Sequence, residues 1–410
     1  LYYIDVKGML SSLHGSAGAI TALQNSVAHY YQRASSADYL GVDPTRRSLT
    51  GTGGYVKVGR KGNAKWNFSE TFTWSSPGFD LNDMGYMKET DYLMNETEIM
   101  YRQTDIWKIF RYNAFTLSQK NMWNYGGTPF SNNASLRWQS MTMNRYEWDV
   151  KETFAWNWLD SRLLRGGPDV RFGSYFLTSA KFNTDKAKRM MFMLKYEGDH
   201  NFEGNRFNTI SPSLTFRLGN HVYLSGQLDY AWNTDEMQYV ATTSPLSSSS
   251  LAPYYYVMGH MDQKTYGLTL KLQVNVTPDI SIQFYGAPFT SIAKYDDFKL
   301  AADTKSHTFE NRFQRIDPDQ LTYADGVYTI GEGAGQMPFR NPDFRFNEFR
   351  SNLVARWEYL PGSTLYFVWE HRMSNRDNWY SSGWGSNLDR MWGLPATNTF
   401  MIKMNYWFNL

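Results

Sequence analysis

Histidine is the residue type in this chain that is best suited to general acid–base catalysis, and the chain has seven of them. They are His14, His29, His200, His221, His260, His307 and His371. None lies in the H-E-x-x-H arrangement of zinc hydrolases, and no G-x-S-x-G turn that would expose a nucleophilic serine occurs. His200 and His260 fall in predicted outer loops, so a catalytic set assembled from loops stays open. No residue is assigned as catalytic, and the motifs favour a non-enzymatic function.

Oxygen ligands for a metal are concentrated in one segment. Asp80, Asn82 and Asp83 lie within four residues, and Asp91 could join them. Calcium prefers carboxylate and amide oxygens, so a loop-bound calcium ion is one interpretation, although the spacing is not that of an EF-hand. The alternative is that these Asx side chains form hydrogen bonds within the loop and cap its turns. No other cofactor is indicated.

The elements that would position such residues are strands with two different faces. In the final segment, Asn398 to Leu410, Phe400, Ile402 and Met404 alternate with Met401, Lys403 and Asn405. Because a strand sends successive side chains to opposite faces, this segment has one apolar and one mostly polar face. Such alternation, with aromatic residues near the end, is typical of strands in outer-membrane barrels.

The same alternation recurs from Val222 to Trp232, from Tyr266 to Val276 and from Asn352 to Tyr359. The polar faces of such strands are predicted to line a lumen, where side chains of both signs would contact solutes or a plugging loop. The predicted lumen residues are Lys195, Glu197, Asp229, Lys271, Gln273, Asn275, Arg350, Arg356, Glu358, Lys403 and Asn405. A solvated or self-paired interior is the alternative for any one of them.

Composition agrees with a barrel. The 410 residues are 42% hydrophobic and 17% aromatic, with a mean hydropathy of -0.55. No run of about 18 apolar residues occurs, which excludes a helical membrane protein. A soluble propeller or sandwich is disfavoured because no repeat of roughly 40 residues is present. A net charge of +2 argues against a nucleic-acid partner, and the absence of cysteine suits an oxidising compartment.

The lengths of the connections predict the topology. Short turns at residues 59–63, 104–105, 144–145, 183–186, 218–220, 277–279 and 360–363 alternate with longer links. Outer-membrane barrels have short periplasmic turns and long extracellular loops. We therefore predict one all-β domain over residues 1–410, a transmembrane antiparallel up-and-down β-barrel of about sixteen strands. The first strand would run from Tyr2 to Ser12 and pair with the last segment to close the barrel.

The longest predicted extracellular loops lie near residues 15–49, 233–263 and 291–347. Loops longer than about 15 residues are usually functional or disordered. The third contains a hairpin-like segment, Leu321 to Ile330, with Asp325 and Gly326 at its turn. We expect this loop to be folded, and either to cap the pore or to offer a docking surface.

Two motifs carry a resemblance to a known family. They are S-P-G-F-D-L-N-D-M-G-Y at residues 76–86 and W-E-Y-L-P-G-S-T-L-Y-F-V-W at residues 357–369, and Tyr30 to Arg33 and Val42 to Pro44 also fit. Together they resemble a Bacteroidota family of outer-membrane β-barrels of unknown function. The resemblance implies a Gram-negative outer membrane and a soluble carbohydrate-binding family 9-like domain upstream of these residues. It implies no settled activity.

The predicted function is a channel or gated transporter for small polar solutes, saccharides among them. One alternative is a barrel that anchors or belongs to a larger outer-membrane assembly concerned with biogenesis, secretion or glycan handling. A barrel hydrolase is a third. The expected partners are outer-membrane lipid and lipopolysaccharide, with other outer-membrane proteins or lipoproteins under the second interpretation, and no nucleic acid.

Overall fold

The structure is a computed structural model that describes residues 1–33, 38–83, 85–156, 158–246, 254–378 and 383–408, and within these ranges the side chains of Ala334 and Trp384 are not described. The predicted closing segment therefore extends two residues beyond the described part, and residues 34–37 and 247–253 of the predicted loops lie outside it. In the described residues none of the helices has both the length and the apolar character needed to cross a membrane.

The first half of the chain contributes thirteen strands and one helix. They are β1 (Tyr2–His14), α1 (Ala17–Gln24), β2 (Ser48–Arg60), β3 (Trp66–Ser75), β4 (Tyr92–Gln103), β5 (Phe110–Trp123), β6 (Pro129–Thr142), β7 (Glu147–Trp156), β8 (Trp158–Asp160), β9 (Val170–Phe172), β10 (Tyr175–Asn183), β11 (Met190–Asn201), β12 (Arg206–Leu218) and β13 (Val222–Thr243).

The second half continues in the same way, with more short elements between its strands. They are β14 (Tyr255–Asn275), β15 (Ile280–Ala301), α2 (Phe309–Arg312), β16 (Phe313–Arg315), β17 (Leu321–Ala324), β18 (Val327–Ile330), β19 (Met337–Arg340), β20 (Phe344–Leu360), β21 (Ser363–Asp377), α3 (Trp384–Trp392) and β22 (Thr397–Asn405). Two single-turn 3-10 helices, Pro318–Gln320 and Gly333–Gly335, lie between β16 and β19.

Seventeen of these strands form one antiparallel sheet. One member, β16, has only three residues, which leaves sixteen longer strands. Each of these pairs with the next long strand along the chain, from β1 with β2 to β21 with β22. The order is therefore that of a meander, in agreement with the predicted up-and-down arrangement.

Two parts of the predicted architecture need correction. The described residues contain 22 strands rather than about sixteen, because the long connections form short strands of their own, β8 with β9 and β17 to β19. The expected closing contact is also not seen: over the described residues β1 pairs only with β2, and β22 only with β21. A closed barrel is therefore not observed.

Short and long connections alternate over most of the sheet, but the predicted longer links at 121–132 and 199–206 contract to residues 124–128 and 202–205, no longer than the short turns. Residues 61–65, 104–109, 143–146, 184–189, 219–221, 276–279 and 361–362 form the short-turn end. The predicted loops 233–263 and 291–347 are shorter than expected, because β13 continues to Thr243, β14 begins at Tyr255 and β15 continues to Ala301. The first strand continues to His14.

Strand register gives the sheet two distinct faces. Directly opposed residues of antiparallel strands share a face. One such row runs Ile99–Leu117–Leu136 across β4, β5 and β6, and another runs Leu224–Leu272–Phe284 across β13, β14 and β15. We call this side the apolar face and the other the polar face. The apolar face continues through Phe367 to Ile402 in the last strand.

Large apolar side chains on this face are open to the surroundings. Ile4 is 75% exposed, Leu136 56% and Ile402 72%. Aromatic side chains bound the exposed band at both ends: Trp66 and Trp74 lie at the two ends of β3, and Trp148 and Trp156 at the two ends of β7. Eight residues of strand separate the members of each pair, or about 26 Å. Strands of outer-membrane barrels tilt by about 35–45°, so this length spans roughly 20 Å of their apolar band of about 25 Å.

Compact apolar packing is found where the long connections meet the ends of β13, β14 and β15 that lie nearest to them. One cluster joins Leu164 and Val170 to Met237, Met258 and Phe313. A second cluster joins Val257, Phe298, Ile330 and Phe339. Both clusters fasten connections onto strands, so the long-connection end is folded and carries its own core.

Candidate functional site: the polar face and its roof

All eleven residues predicted to line a lumen lie on the polar face. Lys195 opposes Ser211, whose hydroxyl donates to Asp229, and Lys271 opposes Ser225 and Tyr285. Lys403 opposes Tyr366, which opposes Arg356. The register brings these side chains to one surface, but their role in lining a lumen or binding a solute stays a prediction.

Charges on this face are largely paired with each other. Lys195 Nζ lies 2.7 Å from Glu197 Oε2, and Arg356 Nη2 lies 2.5 Å from Glu358 Oε2. Asp229 accepts hydrogen bonds from Ser211 and Gln227. Neighbouring residues that the prediction did not include, such as Arg137 and Asp149, pair in the same way. The polar face is thus a surface of mixed sign rather than a single charged patch.

The connection between β1 and β2 begins with α1. Ser16 caps this helix, with its Oγ accepting a hydrogen bond from the Ala19 backbone N–H at 3.2 Å. Gln24, at the end of the helix, is fully buried. Its amide donates to the Asp43 carbonyl at 2.9 Å and accepts from the Asp43 N–H at 2.7 Å. These two bonds close the connection into a compact unit.

His29 ties this unit to the connection between β3 and β4. Its ring is 1% exposed. Nδ1 lies 2.9 Å from the Pro77 carbonyl and Nε2 lies 3.1 Å from the Asp80 carboxylate. The ring therefore bridges two connections as a structural residue. We use the name roof for residues 15–33, 38–47, 76–83, 85–91, 158–174 and 302–343 together.

Asp91 is the central acceptor of the roof. Arg33 Nη2 and the Tyr39 hydroxyl each donate to its Oδ2 at 2.6 Å, and the Tyr125 backbone N–H donates to Oδ1 at 3.1 Å. Asp91 adopts a φ of 61°, a left-handed conformation that Asp and Asn tolerate better than most residues. Contact with Asp91 raises the pKa of Tyr39, after the larger effect of burial.

A cavity of about 220 Å³ lies under the roof. Its lining combines aromatic side chains, charges and amides, and includes Tyr30, Arg33, Asn133, Trp158, Arg162 and Asp169. Asp169 is 5% exposed, with Oδ2 3.7 Å from Lys305 Nζ. Its Oδ1 has no hydrogen-bond partner among the described residues. A small polar molecule that donates a hydrogen bond would satisfy this oxygen.

The connection between β15 and β20 is folded, as predicted. Its hairpin is β17 with β18, and Asp325 and Gly326 at the turn have φ values of 50° and 79°, as a two-residue type I′ turn requires. Arg312 anchors this connection: it is 1% exposed and donates to the Arg171 carbonyl at 2.6 Å and to Glu203 at 3.0 Å.

The candidate calcium ligands are engaged within their own loop. Asp80 Oδ1 accepts the Asn82 N–H at 2.8 Å, and Asn82 Oδ1 accepts the Met87 N–H at 3.1 Å. Asp80 also faces His29, and Asp91 faces Arg33. Among the described residues, no group of three or more His, Asp or Glu side chains is placed to hold a metal ion. The geometry favours hydrogen bonding within the loop, and Asp83 is not drawn into a ligand set.

Over the described residues, the two histidines left open for catalysis contact aromatic and acidic side chains. His200 stacks on Phe176 with ring centroids 5.6 Å apart. His260 lies 3.1 Å from Glu236 and 3.6 Å from Asp262. Ser12 Oγ does lie 3.1 Å from His14 Nε2, yet both are exposed, and no carboxylate contacts His14 in the part of the chain that the structure describes.

The sequence did not predict the hydrogen-bonded cluster of Arg33, Tyr39 and Asp91. It also did not predict the contact between Arg312 and Glu203. A signal existed for Arg33, which belongs to one of the motifs that carry the family resemblance. No local pattern marks its partner, because 58 residues separate Arg33 from Asp91.

These features define an all-β protein built on one large antiparallel meander, with an apolar face, a polar face and a folded roof at one end. The chain belongs to the family described as Domain of unknown function (DUF5916), which matches residues 15–410. No curated protein matches the chain. Among solved structures, the crystal structure of the siderophore receptor PirA from Acinetobacter baumannii is similar over 98% of this chain and 68% of that chain. With 9% identity and a TM-score of 0.38, this likeness carries no argument.

Proposed function

We propose that this chain forms an outer-membrane β-barrel that acts as a channel or gated transporter for small polar solutes, saccharides among them. The observation that carries the proposal is the two-faced sheet: sixteen strands expose apolar side chains on one side and polar side chains on the other. An exposed apolar surface of this extent is stable against lipid rather than water. The polar face would then enclose an aqueous path.

Closure of the sheet is part of the proposal. Open edges leave backbone N–H and C=O groups unsatisfied, which lipid does not tolerate. Contacts within the roof support a curved sheet. Arg33, in the connection after β1, lies 3.3 Å from Ser161, and Arg165 lies over the ring of Tyr239 in β13 at 4.4 Å. The roof thus bridges strands that a flat sheet would hold far apart.

Solute recognition would take place in the cavity under the roof. Aromatic walls such as Tyr30 and Trp158 offer apolar contact, and polar groups such as Asn133 and Asp169 fix orientation, which is the usual division in small-molecule sites. Hydroxyl-rich solutes match this lining because each hydroxyl can donate to a carboxylate or an amide oxygen. The polar face carries charges of both signs, so neutral solutes would move along it without binding tightly.

A second candidate is a barrel subunit or anchor of a larger outer-membrane assembly. The observation in its favour is that buried contacts, such as that of Arg312 with Glu203, fasten the roof to the strands. A fixed surface of this kind suits binding to lipoproteins or other outer-membrane proteins. A Bacteroidota source and an upstream carbohydrate-binding domain, which the family resemblance implies, fit either candidate. A hydrolase and a loop-bound calcium ion stay predictions.

Conductance of the purified full chain in planar lipid bilayers tests the proposal. We expect open conductance that oligosaccharides block, and weaker block in Asp169→Asn, because the amide retains an acceptor but loses the charge that strengthens a hydrogen bond. Asp105→Asn, at an exposed site in a short turn, is the matched control. Oligosaccharides should block its conductance as strongly as that of the unmodified chain. A silent barrel that co-purifies with defined partners would favour the assembly subunit and overturn the channel.

A further inference from the structure

The apolar face carries a contiguous polar patch. On β3, Trp66, Phe68, Phe72 and Trp74 point to this face, and Glu70 stands midway between the two tryptophans. Register continues the polar character across three more strands. The patch consists of Glu70, Asn95, Thr97, Gln119, Asn121 and Asn132.

The order within the patch is regular. Glu70 opposes Thr97, which opposes Gln119. In the adjacent row Asn95 opposes Asn121, which opposes Asn132. Opposed side chains lie about 5 Å apart, so the three asparagines form a ladder across β4, β5 and β6. The rows on either side are apolar or aromatic, as in Ile99 with Leu117.

Only part of the patch is satisfied within the chain. Glu70 accepts hydrogen bonds from the Asn95 amide and, at 2.6 Å, from the Thr97 hydroxyl. In the described residues no hydrogen bond is made by the side-chain amides of Gln119, Asn121 and Asn132. Gln119 is exposed and the two asparagines are half-buried. An amide facing hydrocarbon without a partner is unfavourable, so lipid is a poor occupant of this surface.

The rest of the apolar face provides the contrast. Elsewhere on this face, β13 to β15 present Leu228, Leu270 and Phe284, and β21 and β22 present Phe367 and Ile402. Lipid suits those strands. Other polar side chains on this face have partners: Glu152 accepts a hydrogen bond from Thr178, and Asn208 accepts one from Tyr196, both at 2.7 Å. The patch differs from them in its three amides that make no hydrogen bond in the described residues, and its placement between two aromatic rows puts it within the band that faces lipid.

We infer that this patch is a lateral interface at which two copies of this chain associate in the membrane. An amide is both donor and acceptor, so a ladder of asparagines is complementary to an identical ladder on a twofold-related copy. The one charged member, Glu70, has its carboxylate bonded within its own chain and makes no demand for a basic partner. The inference rests on the membrane placement in the proposed function, but not on channel activity.

Cysteine cross-linking tests the inference directly, because the chain has no cysteine of its own. Asn121→Cys is the test variant, and Leu228→Cys, on the apolar face but far from the patch, is its control. We expect oxidation in native membranes to give a covalent dimer for Asn121→Cys and none for Leu228→Cys. Equal cross-linking at both sites, or at neither, would overturn the inference, as would a covalent product between Asn121→Cys and a different protein.

Particle mass in lipid nanodiscs gives an independent readout. The unmodified chain should have the mass of two chains, and the double variant N121L/N132L the mass of one. Asn208→Leu is the matched control, since Asn208 also lies on the apolar face but already accepts the Tyr196 hydroxyl at 2.7 Å, and it should stay dimeric. An unmodified chain that is monomeric would overturn the inference. Labelling of Leu228→Cys by a water-soluble maleimide would instead contradict the membrane placement, which separates the two failures.

Discussion

Arg33 and Asp91 form a buried ion pair, 2.6 Å between Nη2 and Oδ2, that joins the connection after β1 to the residue that precedes β4. The Arg33 side chain is 10% exposed and the Asp91 side chain is not exposed at all. Burial of two charges is unfavourable by itself, so such a pair contributes only when its hydrogen bonds are completed. The Tyr39 hydroxyl and the Tyr125 N–H complete the hydrogen bonds of the Asp91 carboxylate.

Asp91→Asn should loosen the roof. Asn tolerates the left-handed conformation and keeps an acceptor for the Tyr125 N–H, so the change isolates the charge. Removal of one partner of a buried pair costs about 3–5 kcal/mol, because the other charge stays buried without compensation. Hydrogen exchange of the backbone between residues 15 and 33 measures the effect. Asp105→Asn, in the exposed pair with Lys65, is the control and should leave exchange unchanged.

Leu270 and Thr269 allow a test of the two faces on a single strand. Leu270 lies on the apolar face and Thr269 on the polar face. Leu270→Arg should destabilise the folded protein in vesicles by about 2–4 kcal/mol, the cost of Arg at the midplane of a bilayer. Thr269→Arg should stay within about 0.5 kcal/mol, as at a solvated surface. Urea unfolding in lipid vesicles gives both values, and equal costs would contradict the face assignment.

Much of this sheet was predictable because its signal is local. Alternation in β14 and β22 depends only on the period of a strand, and the Asp325–Gly326 turn depends only on the residues that tolerate positive φ. Strand ends were less predictable. Asn233 and Thr234 look like the start of a polar loop, yet β13 continues through them, because ladder hydrogen bonds hold a strand together after its apolar pattern ends.

The roof was not predictable for a different reason. Its contacts join residues that are distant in the chain, as Arg312 and Glu203 are, 109 residues apart. A single sequence contains no periodicity that links such residues. The polar-face residues were predictable as a group, because the alternation of side chains along each strand assigns every residue to one of its two faces. The cavity that the roof encloses was not, since it depends on where several connections meet.

Tyr31 should make the roof sensitive to alkaline pH. Burial is the main cause that raises its pKa to about 12, with Arg46 opposing the shift. The folded state therefore retains the phenol proton that the unfolded state loses near pH 10. The protonated Tyr31 hydroxyl contributes roughly 2–3 kcal/mol to the free energy of unfolding. This contribution is fully present below about pH 10 and is lost as the pH rises to about 12. Tyr31→Phe should show a smaller loss of stability over this interval than the unmodified chain in parallel unfolding titrations.

Arg312→Lys should release the connection between β15 and β20. The guanidinium bonds the Arg171 carbonyl, the Ser306 carbonyl and Glu203 at once, and an ammonium group cannot reproduce that fork. We expect a loss of about 2 kcal/mol of local stability, which is the worth of a hydrogen bond to a charged group. Faster limited proteolysis within residues 302–343 would report it. Arg315→Lys, at a side chain that is 76% exposed, should leave the cleavage rate unchanged.

The seam between β1 and β22 is the decisive contact for a barrel. Both strands have one unpaired edge over the described residues, and every residue of β22 is exposed. In lipid, pairing of the two edges would satisfy their backbone groups and remove the edges altogether. Val6→Cys combined in turn with Phe400→Cys, Ile402→Cys or Met404→Cys tests this, since a disulfide needs Cα atoms about 4.4–6.8 Å apart. A closed barrel should give an intramolecular disulfide for one combination and little for the other two, because only one register brings the cysteines together. Absence of a disulfide in all three, in folded protein within vesicles, would mean that the sheet stays open at this seam.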